Sequence, residues 1–201
     1  MLTVHLFKNG VEGGLKTFDG SVTPKAVAQS IGPRLAKDAI AAKVGDKVVG
    51  VDFALPAEGD VNLTIFTKSD PEALAVMRHS CAHVMARAIM RLFPGVQLAF
   101  GPTTENGFYY DVLAPTPISE EDFPKIEAEM AKIIQKDEAF ERFEDSREDA
   151  LTLATEMNQK FKVEHINDGL KEYPTLSFYR QGEFIDLCRG PHVPSAGAIG
   201  A

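Results

Sequence analysis

Leu2, Val4 and Leu6 alternate with polar neighbours at the start of the chain, the period of a half-buried strand. Asn9-Gly10 and Gly13-Gly14 supply turn chemistry, and residues 15–18 can return as a hairpin partner. Thr23 before Pro24 is a helix cap followed by proline at the first helical position. The helix that begins there runs through Val27, Ala28 and Ile31 and is expected to stop at Gly32-Pro33. Short strands are predicted around 40–44, 48–51 and 61–66, separated by Gly45-Asp46 and by residues 56–60. Two strands, a helix and further strands give residues 1–67 a β-grasp-like order, with no catalytic constellation in it.

Lys68-Ser69-Asp70-Pro71 marks the expected boundary with a second domain, 68–201. Asp70 can cap the next helix and Pro71 suits its first turn; Pro94-Gly95 ends it near Leu92 or Phe93. Strand and turn material follows through Tyr110. A second helix starts between Ser119 and Pro124, with Phe123, Ile126, Met130, Ile133 and Ile134 at helical spacing. A third starts at Ser146, with Asp149 three residues on as a capping-box analogue, and buries Leu151, Ala154 and Met157. From Phe161 onward, alternating stretches at 176–179 and 184–187 read as antiparallel strands. The fold class is therefore α+β: a small β-grasp-like domain, then an α+β domain with an antiparallel sheet and a buried helix.

Composition narrows the class without deciding it. Of 201 residues, 44% are apolar and 25% charged, an ordinary globular balance. No apolar run reaches the ~18 residues that span a bilayer, and the N-terminus lacks a secretory signal pattern. Cys81 and Cys188 form neither a C-x-x-C pair nor a disulfide framework, so a reducing, cytoplasmic setting is the simplest expectation. The formal charge of −8 argues against a generic, charge-driven nucleic-acid binder, yet leaves room for a local pocket that holds one RNA end. Residues 119–149 carry twelve acids against five bases, which reads as a solvated helix face.

The candidate chemistry starts on the helix after Pro71. His79-Ser80-Cys81-Ala82-His83 places two imidazoles at i and i+4, on one face. On a wheel of about 100° per residue, Leu74, Cys81, Met85 and Leu92 form the opposite stripe, which marks Cys81 as a core residue. A pair of histidines alone is more often two hydrogen-bonded interior groups than a site. The second half of the signal is Asp186-Leu187-Cys188-Arg189-Gly190-Pro191-His192: a thiol and an imidazole four apart, with Gly-Pro between them. If residues 184–188 are a strand, Asp186 and Cys188 share a face. Two histidines plus a Cys/His pair are four potential tetrahedral ligands, for which zinc is the default ion. The bland reading makes Cys188 a small buried hydrophobe and His192 a loop residue.

At these residues the sequence resembles a known family. Met77-Arg78-His79-Ser80-Cys81-Ala82-His83, the run Gly101-Pro102 to Asn106-Gly107-Phe108-Tyr109-Tyr110-Asp111, and Cys188-Arg189-Gly190-Pro191-His192 closely resemble the editing domain of bacterial threonyl-tRNA synthetases. Residues 1–67 resemble the TGS domain that precedes it. Related domains of alanyl-tRNA synthetases and free-standing alanyl editing proteins bind zinc at the corresponding four positions; the threonyl branch is regarded as working without metal.

The resemblance implies hydrolysis of serine wrongly attached to tRNA(Thr). Serine lacks one methyl of threonine, a difference worth only about 1–3 kcal/mol in a pocket, so a second, hydrolytic site is needed. It implies His79, His83, Cys188 and His192 as the four-residue cluster, Asp186 as its acidic neighbour, Lys162 in the pocket, Tyr110 near the terminal adenosine, and Gly101 among the substrate-binding positions. His79 is the expected base, Lys162 steadies an oxyanion or fixes the water, and Asp186 holds the seryl ammonium or hydroxyl. The implied partner is the acceptor end of tRNA(Thr) carrying serine, and the implied full-length enzyme is a homodimer. No cofactor is required for editing, with zinc as the alternative; ATP and a threonine-selecting zinc belong to an aminoacylation core for which this chain offers no candidate residues. A chain ending at Ala201 is expected to be a fragment, its editing domain cut short. The competing reading is a non-catalytic RNA-binding or regulatory module centred on residues 1–67.

Overall fold

The computed structural model of the chain describes residues 1–200. These fall into two compact units: Met1–Met77 with Gly190–Pro194, and Arg78–Arg189 with the residues from Ser195 on.

In the first unit, β1 (Leu2–Lys8) and β2 (Val11–Phe18) form an antiparallel hairpin. Helices α1 (Pro24–Ile31) and α2 (Pro33–Asp38) follow, then β3 (Ala39–Val44), β4 (Lys47–Val49) and β5 (Gly59–Thr67). The sheet order is β2-β1-β5-β3-β4, with β1 and β5 parallel at its centre and Val4 opposite Val61. Alternation puts Leu2, Val4, Val61, Leu63 and Ile65 on one covered face, where Val27 and Ala28 of α1 complete the core. Thr23 caps α1 by accepting from the Ala26 N–H at 3.2 Å. This is the β-grasp order expected. The helix expected to end at Gly32-Pro33 is instead followed by α2, because Pro33 stands at a first helical position, where proline is tolerated.

The long helix α3 (Pro71–Leu92) carries the histidines. Asp70 precedes it, but its carboxylate turns back to accept from the Thr67 N–H and hydroxyl and from Lys8. The face of α3 expected to be covered is the more open one. Leu74 and Leu92 are exposed, and Cys81 and Met85 only half-buried. The covered face holds Ala82, His83, Val84, Ala86 and Arg87. Hydropathy ranks leucine and cysteine as core, whereas here the polar side chains find charged partners and are buried with them.

The second unit continues with β6 (Gln97–Leu98) and β7 (Val112–Leu113), an antiparallel pair. A 3-10 turn leads into α4 (Phe123–Lys136), which buries Ile126 and Ile133. Next come β8 (Glu141–Ser146), α5 (Arg147–Glu156), α6 (Lys160–Asp168), β9 (Thr175–Gln181) and β10 (Phe184–Leu187). Strands β10, β9 and β8 form an antiparallel sheet in that order, the arrangement expected for β9 and β10. Ala150, Ala154, Ile166, Leu170, Leu176 and Phe178 make its core, with Phe143 stacked on Phe178 at 5.3 Å. Ser146 caps α5 through the Asp149 N–H. Of the residues expected to be buried on α5, Ala154 is, while Leu151 and Met157 are half-buried. Two elements depart from expectation. The acidic stretch contains strand β8 as well as helix, and the region after Phe161, expected to be extended, begins as α6.

Candidate active site

Helix and strand periodicities bring the site residues of the second unit together. Four residues of α-helix rise about 6.0 Å and two residues of strand about 6.6 Å. An antiparallel helix and strand can therefore match residue for residue, every fourth against every second. His79 Nε2 lies 3.3 Å from Cys188 Sγ. One helical turn on, His83 Nε2 lies 3.4 Å from Asp186 Oδ2, and its ring meets Phe184 edge-on at 5.7 Å. Another turn on, past the end of the strand where the two-residue step no longer holds, Arg87 pairs with Glu183. The alternation Phe184, Asp186, Cys188 thus puts a ring, a carboxylate and a thiol against α3, as the shared face of Asp186 and Cys188 required. The two imidazoles stand edge to face, 5.3 Å apart.

Asp186 is the most heavily engaged group. Lys162 Nζ lies 2.7 Å from its Oδ1, and the Tyr110 hydroxyl donates to its Oδ2 at 2.5 Å. Lys162 also donates to the Ala99 carbonyl at 2.7 Å and to the Tyr110 oxygen at 3.1 Å. All three side chains are buried. Burial alone would raise the Asp186 pKa, but the adjacent Lys162 charge, His83 and the two donors outweigh it and hold the carboxyl below its usual value. Burial pushes His83 down to about 3, against the pull of Asp186, so it is a neutral imidazole at neutral pH. Burial and then the Asp186 charge raise the Tyr110 phenol well above its usual value.

Two local features place Lys162. The Gln159 side chain accepts from the Leu98 N–H at 2.7 Å and donates to the Val96 carbonyl at 3.3 Å, tying the start of α6 to β6. Lys162 and Ile166, four apart, then form the covered face of α6. Gly101 acts through Tyr110: a Cβ there would stand 2.3 Å from the Tyr110 ring, so only glycine lets the ring lie where its hydroxyl reaches Asp186.

The expected site residues are thus largely gathered. The ligand atoms of His79, His83, Cys188 and His192 all lie within 4.8 Å of one another, so this group can hold a metal ion. Ligands around a tetrahedral zinc stand about 3.3–3.8 Å apart, given Zn–N and Zn–S bonds of ~2.1 and ~2.3 Å. The donor set and the His83–carboxylate contact suit zinc, and the cluster would contract by about 1 Å to close on it. The sequence reading missed the Ala99 carbonyl and the Phe184 ring; the Phe184–Asp186–Cys188 alternation was the signal for the second.

A groove adjoins this cluster in the second unit. Phe100, Lys162, His165, Tyr173, Cys188 and Arg189 are among its lining residues. Arg189, quoted in the motif but given no role, lies over the Tyr173 ring at 5.3 Å.

Comparison with known proteins agrees with this architecture. Residues 11–67 match the family described as the TGS domain, and residues 176–201 match the threonyl and alanyl tRNA synthetase second additional domain. Two stretches of this chain thus carry the signatures of these two domains, in this order along the sequence. Its full-chain relatives are threonine–tRNA ligases. That of Rhodopirellula baltica is 53% identical over 194 residues, covering 94% of this chain and 26% of the ligase. Those of Coxiella burnetii and Thiobacillus denitrificans are 47% and 43% identical, over 94% and 99% of this chain and 29% and 30% of the ligases. The chain thus spans about a quarter to a third of the length of these relatives.

Proposed function

We propose that this chain hydrolyses the seryl ester of mischarged Ser-tRNA(Thr) and spares Thr-tRNA(Thr), without metal. The observation that carries this reading is the division of labour between the two histidines. His83 is buried, neutral and turned to Asp186. His79 is half-buried, beside the thiol, on the side where Cys188 lines the groove. An imidazole with an ordinary pKa near 6.5 can take a proton from water at neutral pH. In the proposed step His79 accepts the water proton, hydroxide adds to the ester carbonyl, and the bond to the ribose oxygen breaks, that oxygen leaving with a proton. Cys188 and His192 flank the ester and orient it.

Because Lys162 is buried against Asp186 and held by the Ala99 carbonyl and the Tyr110 oxygen, its first role is to neutralise and fix Asp186. An oxyanion contact from Lys162 would replace the Tyr110 or Ala99 contact. Asp186 then orients His83 and presents its field to the seryl ammonium. Tyr110, set on Gly101, positions the terminal adenosine. The acceptor end of tRNA(Thr), a homodimeric parent enzyme and a cytoplasmic setting belong to the same proposal. No helix among the described residues is long and apolar enough to cross a membrane.

One observation favours a second reading: the three-nitrogen, one-sulfur donor set, which would hold zinc and supply a metal-activated water. A single experiment separates the two. Deacylation of Ser-tRNA(Thr) is followed for wild type and His79→Ala, with and without chelator, beside metal analysis of the purified protein. The metal-free reading predicts chelator-insensitive hydrolysis that falls at least about 100-fold in His79→Ala, the usual contribution of a general base. Stoichiometric zinc with chelator-sensitive activity replaces it by the second reading. Wild-type hydrolysis equal to that of His79→Ala contradicts both.

A further inference from the structure

The groove beside Cys188 continues past the cluster to a cation that the proposed hydrolysis does not use. Arg189 is exposed, lines the groove and has no acidic partner among the described residues. The one acid lining the groove, Glu144, is paired with Arg142 at 2.6 Å. Tyr173 lies under the Arg189 guanidinium and is itself 48% exposed; Phe100, 47% exposed, borders the same groove. His165 packs edge-on against Phe100 at 4.9 Å, and burial together with the Lys162 and Arg189 charges lowers its pKa. With Lys162 paired to Asp186 and Glu144 to Arg142, Arg189 is the cation lining this end of the groove that has no acidic partner among the described residues.

Stacking on a ring covers one face of a guanidinium and leaves the N–H groups on its edge directed outward. Those groups match two oxygens of a phosphate, a fit that a lysine point charge does not reproduce. Exposed rings beside a backbone-binding cation are the elements with which proteins hold single-stranded nucleic acid. The hydrolysis reading places an aminoacyl ester, and hence the last ribose of an RNA, at His79 and Cys188, one residue from Arg189 in the chain. We propose that Arg189, steadied on Tyr173, takes the phosphodiester immediately 5′ of that terminal nucleoside. Phe100 offers a face to a base. This inference rests on the hydrolysis reading for the direction of the strand, and it adds a positioning residue for the RNA end.

The test uses the full chain and an RNA hairpin with a single-stranded 3′ overhang, its Kd followed by fluorescence anisotropy at several salt concentrations. Adenosine 5′-monophosphate serves as a competitor. Arg189→Ala is expected to weaken binding about tenfold, the scale of one charge-assisted contact. The slope of log K against log salt is expected to fall by about 0.7, one phosphate on a single strand. Arg189→Lys, which folds with the same charge, keeps the slope but loses part of the affinity. With the same hairpin carrying serine, Arg189→Ala raises KM and leaves kcat within about twofold. An unchanged Kd and slope in Arg189→Ala overturns the proposal, as does absence of hairpin binding by wild type. Monophosphate competing as strongly as the hairpin also overturns it, in favour of a free-nucleotide site. If binding depends on Arg189 but wild type hydrolyses nothing, the hydrolysis reading falls and the phosphate contact stands. If wild type hydrolyses the ester with KM indifferent to Arg189, the reverse holds.

Discussion

The Lys162–Asp186 pair carries the largest electrostatic stake of any two residues in the site. Both are buried, and the pair is stabilising only because Tyr110 and Ala99 take up the remaining hydrogen bonds. Truncating one partner of a buried pair strands the other, at a cost of about 3–5 kcal/mol. Lys162→Met is therefore expected to destabilise by that amount in urea unfolding, and adding Asp186→Asn to recover at least about 1 kcal/mol of it. A loss below about 1 kcal/mol in the single variant would show that the carboxylate is not held as described. A milder effect belongs to His5, which meets Glu12 at 2.8 Å and Asp60 at 3.2 Å. Its hydrogen bond to Glu12, then that to Asp60, raises the His5 pKa. A histidine whose pKa is higher folded than unfolded contributes fully below about 6.5, and that contribution fades as pH rises through the folded value. Stability is expected to decline from pH 6 to pH 8 through this group, and the decline attributable to it to vanish in His5→Gln, measured by thermal unfolding across that range.

At the scale of elements, the site is a match of periods between α3 and β10, and the turn before β10 sets its register. Gly182 has φ +57°, the left-handed region that glycine adopts without penalty, and a Cβ there would stand 2.4 Å from Arg87 Nη2. Gly182→Ala is expected to cost about 2 kcal/mol, adding the backbone penalty to a displaced Arg87–Glu183 pair. A change within about 0.5 kcal/mol in urea unfolding would mean that turn and ion pair adjust freely. Much of this layer is legible in the residue pattern. The alternation of Leu2 and Val4, the Thr23-Pro24 start and the i, i+4 histidines each follow from one local rule. The missed elements fail for equally local reasons. α6 buries a lysine on its inner face, so hydropathy sees a break where the helix has its covered stripe. β8 is an edge strand with one aromatic contact among charged residues, and it reads as solvated helix. α2 starts on Pro33, a residue that ends one helix and is tolerated at the first position of the next. The covered face of α3 was misjudged because His83 and Arg87 are buried through partners about a hundred residues further along the chain, which no local window contains.

For the whole molecule, the global charge and the local chemistry point in different directions. A net −8 disfavours indiscriminate RNA binding, while the groove past Cys188 sets one exposed arginine beside exposed rings. On the proposed reading, such a surface would select an RNA end by what fits it rather than by bulk attraction. The four-residue cluster became visible as a site only when the helix and the Cys188–His192 segment were paired, a step that needed the family resemblance because the sequence gap between them is long. On the proposed reading, this arrangement hydrolyses a seryl ester and excludes the extra methyl of threonine. The most direct measurement is single-turnover deacylation of Ser-tRNA(Thr) and Thr-tRNA(Thr) by the purified chain at neutral pH. Serine is expected to be released at least about 100-fold faster than threonine, a steric rejection at the upper end of what one methyl allows. Equal rates for the two substrates, or rates equal to those without protein, would contradict it.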